Sequence, residues 1–378
     1  MFGSGTRWRI GSIGGIPIYV GPTWVLVVLF VAASRYSIFS QVEPRSALWL
    51  AVFFAVAFFG AVFVHELAHA WVSRRLTIPV RGITMTLFGG YTETRANSRG
   101  PGAEFLVSAA GPASTLIMSG VFGLVAGLVH GGGHDVVREL AWLNLLFAAF
   151  NTLPAVPLDG GRILTAIVWG ITGNRRTGQR VAGHVGSAVG IGVGVLAYQQ
   201  LTTAGGYGLF LLVVAFILVS AGRSTEGRVR AQEQLAHGTA ADAMRDPPAW
   251  VSAELSLQSA LDRYLRDAPR EAFPVVDQGR VIGTVSLASA RKVGSRDPMR
   301  PVRDGMAPLD LTPVFRTDEP LDMVAEWLSG LDGLVLRDGA LAGAIGPADI
   351  DRWYRRTIPG DSDVGPPGFD AIPPRPDL

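Results

Sequence analysis

The chain has 378 residues, with 33 Lys plus Arg against 31 Asp plus Glu and no cysteine. A near-neutral balance gives no nucleic-acid footprint, and the lack of cysteine excludes disulfides and thiolate metal ligands, leaving His, Asp, Glu or backbone oxygen for any metal. Charged residues make up only 17% of the chain and hydrophobic ones 48%; the apolar residues come in long runs before about Gly222, after which the sequence reads as soluble. Lys292 is the one lysine, an Arg-for-Lys usage that fits a high-GC bacterial genome.

In chain order, Ile13 to Val20 reads as a short strand. A spanning helix needs roughly 20 mostly apolar residues. Six stretches qualify: Gly21 to Phe39, Ala47 to Val72, Ala103 to Val129, Glu139 to Ile171, Val181 to Leu201 and Gly205 to Ala221. Val31-Ala32-Ala33 has a faint likeness to a cleavage region, but some twenty residues precede that span, so it is expected to stay. Between the second and third spans, Ile78 to Thr94 is rich in β-formers and carries Gly89-Gly90; it predicts a strand or hairpin at the membrane interface. The fourth span is too long for one straight crossing and is broken by Pro154 and Pro157. Non-helical backbone at membrane depth persists only where protein or a watery cavity satisfies it, so the break marks a site. Gly186, Gly190 and Gly194 in the fifth span have the spacing that lets helices approach closely, within the bundle or across a dimer.

The arginines set the orientation. With a cytoplasmic N-terminus, Arg7, Arg9, Arg74, Arg75, Arg175, Arg176 and Arg223 fall on the cytoplasmic side, against Arg35, Arg45 and Arg138 outside. Six spans return the chain to the cytoplasm. From about His237 to Tyr354 two half-repeats follow, with strands at Phe273 to Val276 and Val281 to Val285, then at Gly333 to Leu336 and Ala340 to Ile345. The Pro-, Asp- and Gly-rich tail reads as disordered. The expected division is a membrane domain over 1–230, a repeat pair over 231–356 and a tail over 357–378.

Val64-His65-Glu66-Leu67-Ala68-His69 is H-E-x-x-H within the second span. The i, i+4 spacing turns both imidazoles to one face, where they can grip one zinc ion, and Glu66 beside them can take a proton from an activated water. Ionisable groups inside a span are costly and functional by default, and the rest of this span is mostly Ala, Val, Phe and Trp. A catalytic zinc takes a third protein ligand. Asp159, the only acidic residue between Glu139 and the end of the fourth span, is the candidate, with a helix N-cap as the alternative. His65 lies about 13 Å from the helix end marked by Arg74, and Asp159 falls in the same half of the membrane.

These motifs resemble the site-2 protease family of intramembrane metalloproteases, in the form that carries a C-terminal pair of cystathionine β-synthase (CBS) domains. The resemblance runs through H-E-x-x-H, the segment Asn151-Thr152-Leu153-Pro154-Ala155-Val156-Pro157-Leu158-Asp159-Gly160-Gly161-Arg162, and Ala110-Gly111-Pro112, where close packing is expected. It implies a polytopic α-helical membrane protein with six transmembrane helices and a short interfacial β-hairpin, followed by a cytoplasmic α/β CBS-pair domain. It implies zinc on His65, His69 and Asp159, Glu66 as base, and Asn151 as donor to the substrate carbonyl or oxyanion, a helix-breaking Asn being the alternative. It gives Phe88-Gly89-Gly90-Tyr91 the task of holding an unwound substrate segment as an added strand. Phe273-Pro274-Val275-Val276-Asp277 and Val281-Ile282-Gly283-Thr284-Val285 carry the CBS likeness. Asp349 matches a ribose-binding position, which implies an adenine nucleotide at the pair; a dimerisation or docking module without ligand is the alternative.

The implied activity is zinc-dependent cleavage, near the cytoplasmic face of the cell membrane, of transmembrane segments in single-span proteins such as anti-sigma factors. The CBS pair is expected to modulate it and to support a homodimer, and no nucleic acid is expected as partner. A CBS-gated transporter shares the broken helix and buried carboxylate, but transport does not need a Glu flanked by two ligating His. An inactive scaffold would not need His65, Glu66, His69 and Asp159 all intact.

Overall fold

Apolar side chains surround most of the long helices rather than lining one stripe, which is the pattern of helices whose outer surface meets hydrocarbon instead of water. In the computed structural model, which describes residues 7–86, 89–94, 100–203, 206–267, 272–295, 297–309, 312–328 and 332–357, large residues such as Phe30, Trp49, Leu124 and Phe216 point outward. The buried face of the helix that carries Trp49 includes small residues, Ala47, Ala51, Ala55 and Ala70, beside Phe54.

The chain opens with a hairpin of β1 (Trp8–Ile13) and β2 (Ile16–Val20). Helix α1 (Pro22–Val42) starts on a proline, whose missing N–H costs nothing in a first turn. Helix α2 (Ala47–Arg75) ends on Arg74 and Arg75, favourable partners for a helix C-terminus. Strands β3 (Val80–Thr86) and β4 (Gly89–Thr94) follow. Then come α3 (Pro101–Ala126), α4 (Gly132–Thr152), α5 (Asp159–Thr172), α6 (Arg175–Thr202) and α7 (Gly208–Leu235). The Asn174 side chain caps α6 by accepting from the N–H groups of Arg176 and Thr177.

Among the described residues α1, α2, α3, α6 and α7 are long and apolar enough to cross a membrane. The fourth expected span is two helices, α4 and α5, parted by residues 153–158. Helix α4 begins seven residues earlier than the sequence suggests and carries Asp135, Arg138 and Glu139 near its start. Helix α5, at 14 residues, is too short to cross alone. The expected hairpin at Ile78 to Thr94 is present but is half of a larger unit. Strand β3 pairs with β4 antiparallel and with β2 in parallel, giving a four-stranded sheet in the order β1-β2-β3-β4. The parallel pairing joins residues some 65 positions apart, such as Ile18 and Ile83, and local alternation carries no trace of it.

Contacts divide the chain into two units, the second starting at Arg230. In that unit the two half-repeats form β5 (Ala272–Asp277) with β6 (Arg280–Ser286) and β7 (Gly333–Arg337) with β8 (Ala340–Ile345), at the expected places. Each hairpin turns on two residues with positive φ, Gln278-Gly279 and Asp338-Gly339, the geometry that two-residue hairpin turns require. The repeats exchange material. Ala231 and Leu235 precede the first repeat and Ala240 and Ala243 open it, yet all four pack in the core of the second with Phe315, Leu321, Val335 and Ile345. The expected tail lies, apart from Thr357, outside the described residues.

Candidate metal centre

His65 and His69 stand one turn apart on α2, so their rings share a face. Both are buried, and their Nε2 atoms are 3.2 Å apart. Asp159 begins α5; its carboxylate Oδ2 lies 3.1 Å from His65 Nε2 and 3.3 Å from His69 Nε2. Backbone packing sets this position. A Cβ on Gly160 would stand 2.1 Å from the Leu153 oxygen, and one on Gly161 or Gly186 would press on the backbone of Ala155 and Val156. The turn ahead of Asp159 is thus held between α5 and α6 at a distance that only glycine permits. Gly190 and Gly194 continue the close approach on α6, facing Val219 and Ala215 of α7.

The imidazole tautomers follow from their partners. His69 Nδ1 is 2.7 Å from the Val107 carbonyl oxygen, which can only accept, so that nitrogen carries the hydrogen. His65 Nδ1 is 2.9 Å from Thr115 Oγ1, and the Thr115 hydroxyl donates to the Gly111 carbonyl at 3.1 Å. Both Nδ1 atoms donate outward, and both Nε2 lone pairs face the Asp159 carboxylate. Three lone-pair atoms meeting in a buried space repel unless a cation lies among them. The spacing fits one: a tetrahedral zinc with bonds of about 2.0–2.1 Å separates its ligand atoms by about 3.3–3.4 Å. This is the one cluster of three His, Cys, Asp or Glu side chains among the described residues with the reach to hold a metal.

Glu66 is buried beside the imidazoles. Strand β4 runs against it: a Cβ on Gly90 would fall 2.3 Å from Glu66 Cγ and 2.9 Å from Met85 Sδ. Gly89, Gly90 and Tyr91 lie on β4, and Phe88 is outside the described residues. Asn151 sits in the last turn of α4, half-buried, its Nδ2 donating to the Phe147 carbonyl one turn back. In the second unit Asp349 is buried at the start of α8 (Pro347–Thr357). Its carboxylate accepts from the Gly346 N–H and from Arg245 and Arg352, and Arg245 also pairs with Asp332.

The groups that hold the two imidazoles belong to no motif the sequence displays. Thr115, the Val107 carbonyl and Gly111 all face the imidazoles. The packing expected at Ala110-Gly111-Pro112 is present, and it is packing against the two imidazoles: a Cβ on Gly111 would stand 2.3 Å from His69 Nε2 and 2.6 Å from His65 Nε2. Their common spacing of four was the available signal. Glu104, near the start of α3, is also buried and accepts from Arg175 Nε at 3.1 Å and Nη2 at 3.3 Å, with Arg162 Nε 3.7 Å away.

Residues 53–137 and 128–196 match the family model described as peptidase family M50, and residues 240–295 match that of the CBS domain. A chain of Mycobacterium tuberculosis named as a zinc metalloprotease, Rip3, is 34% identical over 315 residues, covering 79% of each chain. The zinc metalloprotease MJ0392 of Methanocaldococcus jannaschii is 26% identical over 352 residues, covering 91% of this chain and 95% of its own. Among solved structures, the site-2 protease of the same archaeon is 22% identical, with a TM-score of 0.43 over 58% of this chain and 95% of its own.

Proposed function

The chain belongs to peptidase family M50 and is a membrane zinc metalloprotease, and on that premise we propose that it cleaves the transmembrane segments of single-span proteins near the cytoplasmic face. The observation that carries this reading is the meeting of His65 Nε2, His69 Nε2 and Asp159 Oδ2 beside buried Glu66, inside a bundle whose outer surface is apolar. A soluble peptidase has no use for such a surface.

His65, His69 and Asp159 would hold one zinc ion. When bound, zinc lowers the pKa of a water to about 7 and polarises a carbonyl. Glu66 takes the proton from the attacking water on its carboxylate and delivers it to the leaving amine. The Asn151 amide spends one hydrogen on Phe147; its second is the proposed donor to the substrate carbonyl oxygen as charge gathers there. A helical substrate hides its peptide bonds, so it must be held extended. Strand β4 closes one edge of the sheet and passes against Glu66. A substrate segment added there through backbone hydrogen bonds would lie beside the base, with Phe88, Gly89, Gly90 and Tyr91 as its platform.

The arginine asymmetry supports cytoplasmic termini and a site in the cytoplasmic half of the membrane. Cleavage there frees a cytoplasmic fragment, such as the domain of an anti-sigma factor or another regulator. The CBS pair is the proposed modulator and dimer contact, with Asp349 as the ribose position for an adenine nucleotide. A ribose hydroxyl arriving there competes with Arg245 and Arg352 for the carboxylate.

The test compares membrane proteomes of the native host and the same host carrying Glu66→Gln. Single-span proteins that accumulate as membrane-embedded stubs only in the mutant support the reading and name the substrates. Identical proteomes, across growth conditions that vary the nucleotide pool, would falsify it.

A further inference from the structure

We propose that Thr115 is a positioning residue that holds His65 in the tautomer which leaves its Nε2 lone pair on the metal; the inference rests on the zinc site proposed above. Val107, Gly111 and Thr115 are spaced by four on α3, and His65 and His69 by four on α2, so one face of each helix meets the other. The pairing is residue to residue. His69 Nδ1 donates to the Val107 carbonyl at 2.7 Å, and His65 Nδ1 donates to Thr115 Oγ1 at 2.9 Å. Gly111 stands between them and, having no Cβ, leaves both Nε2 atoms room.

The two contacts differ in kind. The Val107 acceptor is backbone, and no substitution there removes it. The Thr115 acceptor is a side chain, the only part of this pair of contacts that the sequence can alter. A hydroxyl can donate or accept, but the Thr115 hydrogen is directed at the Gly111 carbonyl at 3.1 Å. That turns a lone pair toward His65. Thr115 is fully buried, so its hydroxyl is shielded from bulk water.

Without that acceptor the His65 Nδ1–H is a buried donor with no partner. Moving the hydrogen to Nε2 relieves this, because Asp159 Oδ2 waits there at 3.1 Å. A hydrogen on Nε2 bonded to Asp159 occupies the space of the ion and engages two of its three ligands at once. Thr115 therefore decides which nitrogen of His65 is available to metal, as the outer hydrogen-bond partner of a ligating histidine does generally.

The experiment measures zinc affinity of the full-length protein in detergent, by competition with a chromophoric chelator, for the wild type, Thr115→Val, Thr115→Ser and Asp159→Ala. Thr115→Val keeps the shape and removes the acceptor; its affinity should fall about 10–100-fold. Thr115→Ser keeps the acceptor and loses the methyl; it should stay within about threefold of wild type. A purely packing role reverses that order, with Val the milder change, and would overturn the proposal. Wild-type affinity in Thr115→Val, with zinc lost in Asp159→Ala, overturns the role of Thr115 and leaves the zinc site standing. Full affinity in Asp159→Ala overturns the site itself, and this inference with it. If Thr115→Val does not fold, Thr115→Ala removes the same acceptor and is compared with Thr115→Ser in the same way.

Discussion

Gly90 lies so close to Glu66 that a Cβ on the glycine would stand 2.3 Å from the Glu66 Cγ. The edge strand and the proposed base are therefore fitted to each other through backbone, with no side chain between. Gly90→Ala must push β4 outward or swing the carboxylate away from its place. A displacement of about 1 Å can cost on the order of 100-fold in rate. The expected outcome is a loss of that size in peptide cleavage with zinc content unchanged, since the atoms nearest a Cβ there belong to Glu66 and Met85 and not to the proposed ligands. Measuring both in one preparation checks it; wild-type turnover in Gly90→Ala would mean that strand and base do not share the reaction space.

The three proposed ligands and the base should separate cleanly. Asp159→Ala removes one of three protein donors and leaves two imidazole lone pairs 3.2 Å apart with no charge to balance an ion. Purified protein should lose most of its zinc by atomic absorption. Glu66→Gln changes no donor in the cluster and should keep zinc while cleavage falls by about 10²–10⁴, the usual share of a general base. Equal zinc in both variants would remove Asp159 from the ligand set.

The contrast between what the sequence revealed and what it hid has a physical cause. H-E-x-x-H is legible because helix geometry alone puts residues four apart on one face, and the cost of burying ionisable groups in a span makes the pattern hard to explain otherwise. The repeat hairpins are legible because Gln278-Gly279 and Asp338-Gly339 sit between short apolar runs. By contrast, the pairing of β2 with β3, the exchange of Ala231 and Leu235 into the second repeat's core, and the contact of Thr115 with His65 all join residues far apart in the chain. Such pairs carry no local period. Only the glycine at 111, spaced evenly between 107 and 115, marked the face of α3 that meets the histidines.

Glu104 offers a test of how the halves of the site are kept together. Its carboxylate takes two hydrogen bonds from Arg175 at the start of α6 and lies 3.7 Å from Arg162, one turn beyond Asp159 on α5. Val107, whose carbonyl holds His69, is one turn further along α3. Removing one partner of a buried pair costs about 3–5 kcal/mol. Arg175 keeps 26% of its side chain exposed, which lowers the expected cost to roughly 1–2 kcal/mol. Glu104→Ala should therefore melt at a lower temperature in detergent and bind zinc less tightly. Glu104→Gln, which retains an acceptor for Arg175, should fall between it and the wild type. Unchanged melting and zinc affinity in Glu104→Ala would show that α3, α5 and α6 are held by packing alone.

Where the chain is cut should decide what the C-terminal unit does. The clusters around Ile83 and Met85 and around Phe54 and Leu140 contain no residue beyond Arg230, whereas Ala231 and Leu235 are buried in the core of the second repeat. A chain ending at Arg230 thus keeps both clusters whole and leaves behind no fragment of the other core. One ending at Ala236 strands Ala231 and Leu235 without their partners Leu321, Val324 and Tyr354, and should aggregate more readily. The shorter protein is expected to hold zinc at the wild-type level and, on the proposed regulatory role of the repeat pair, to lose the response of cleavage to added adenine nucleotide. Zinc loss in the chain ending at Arg230 would instead make the repeat pair a structural support for the metal centre.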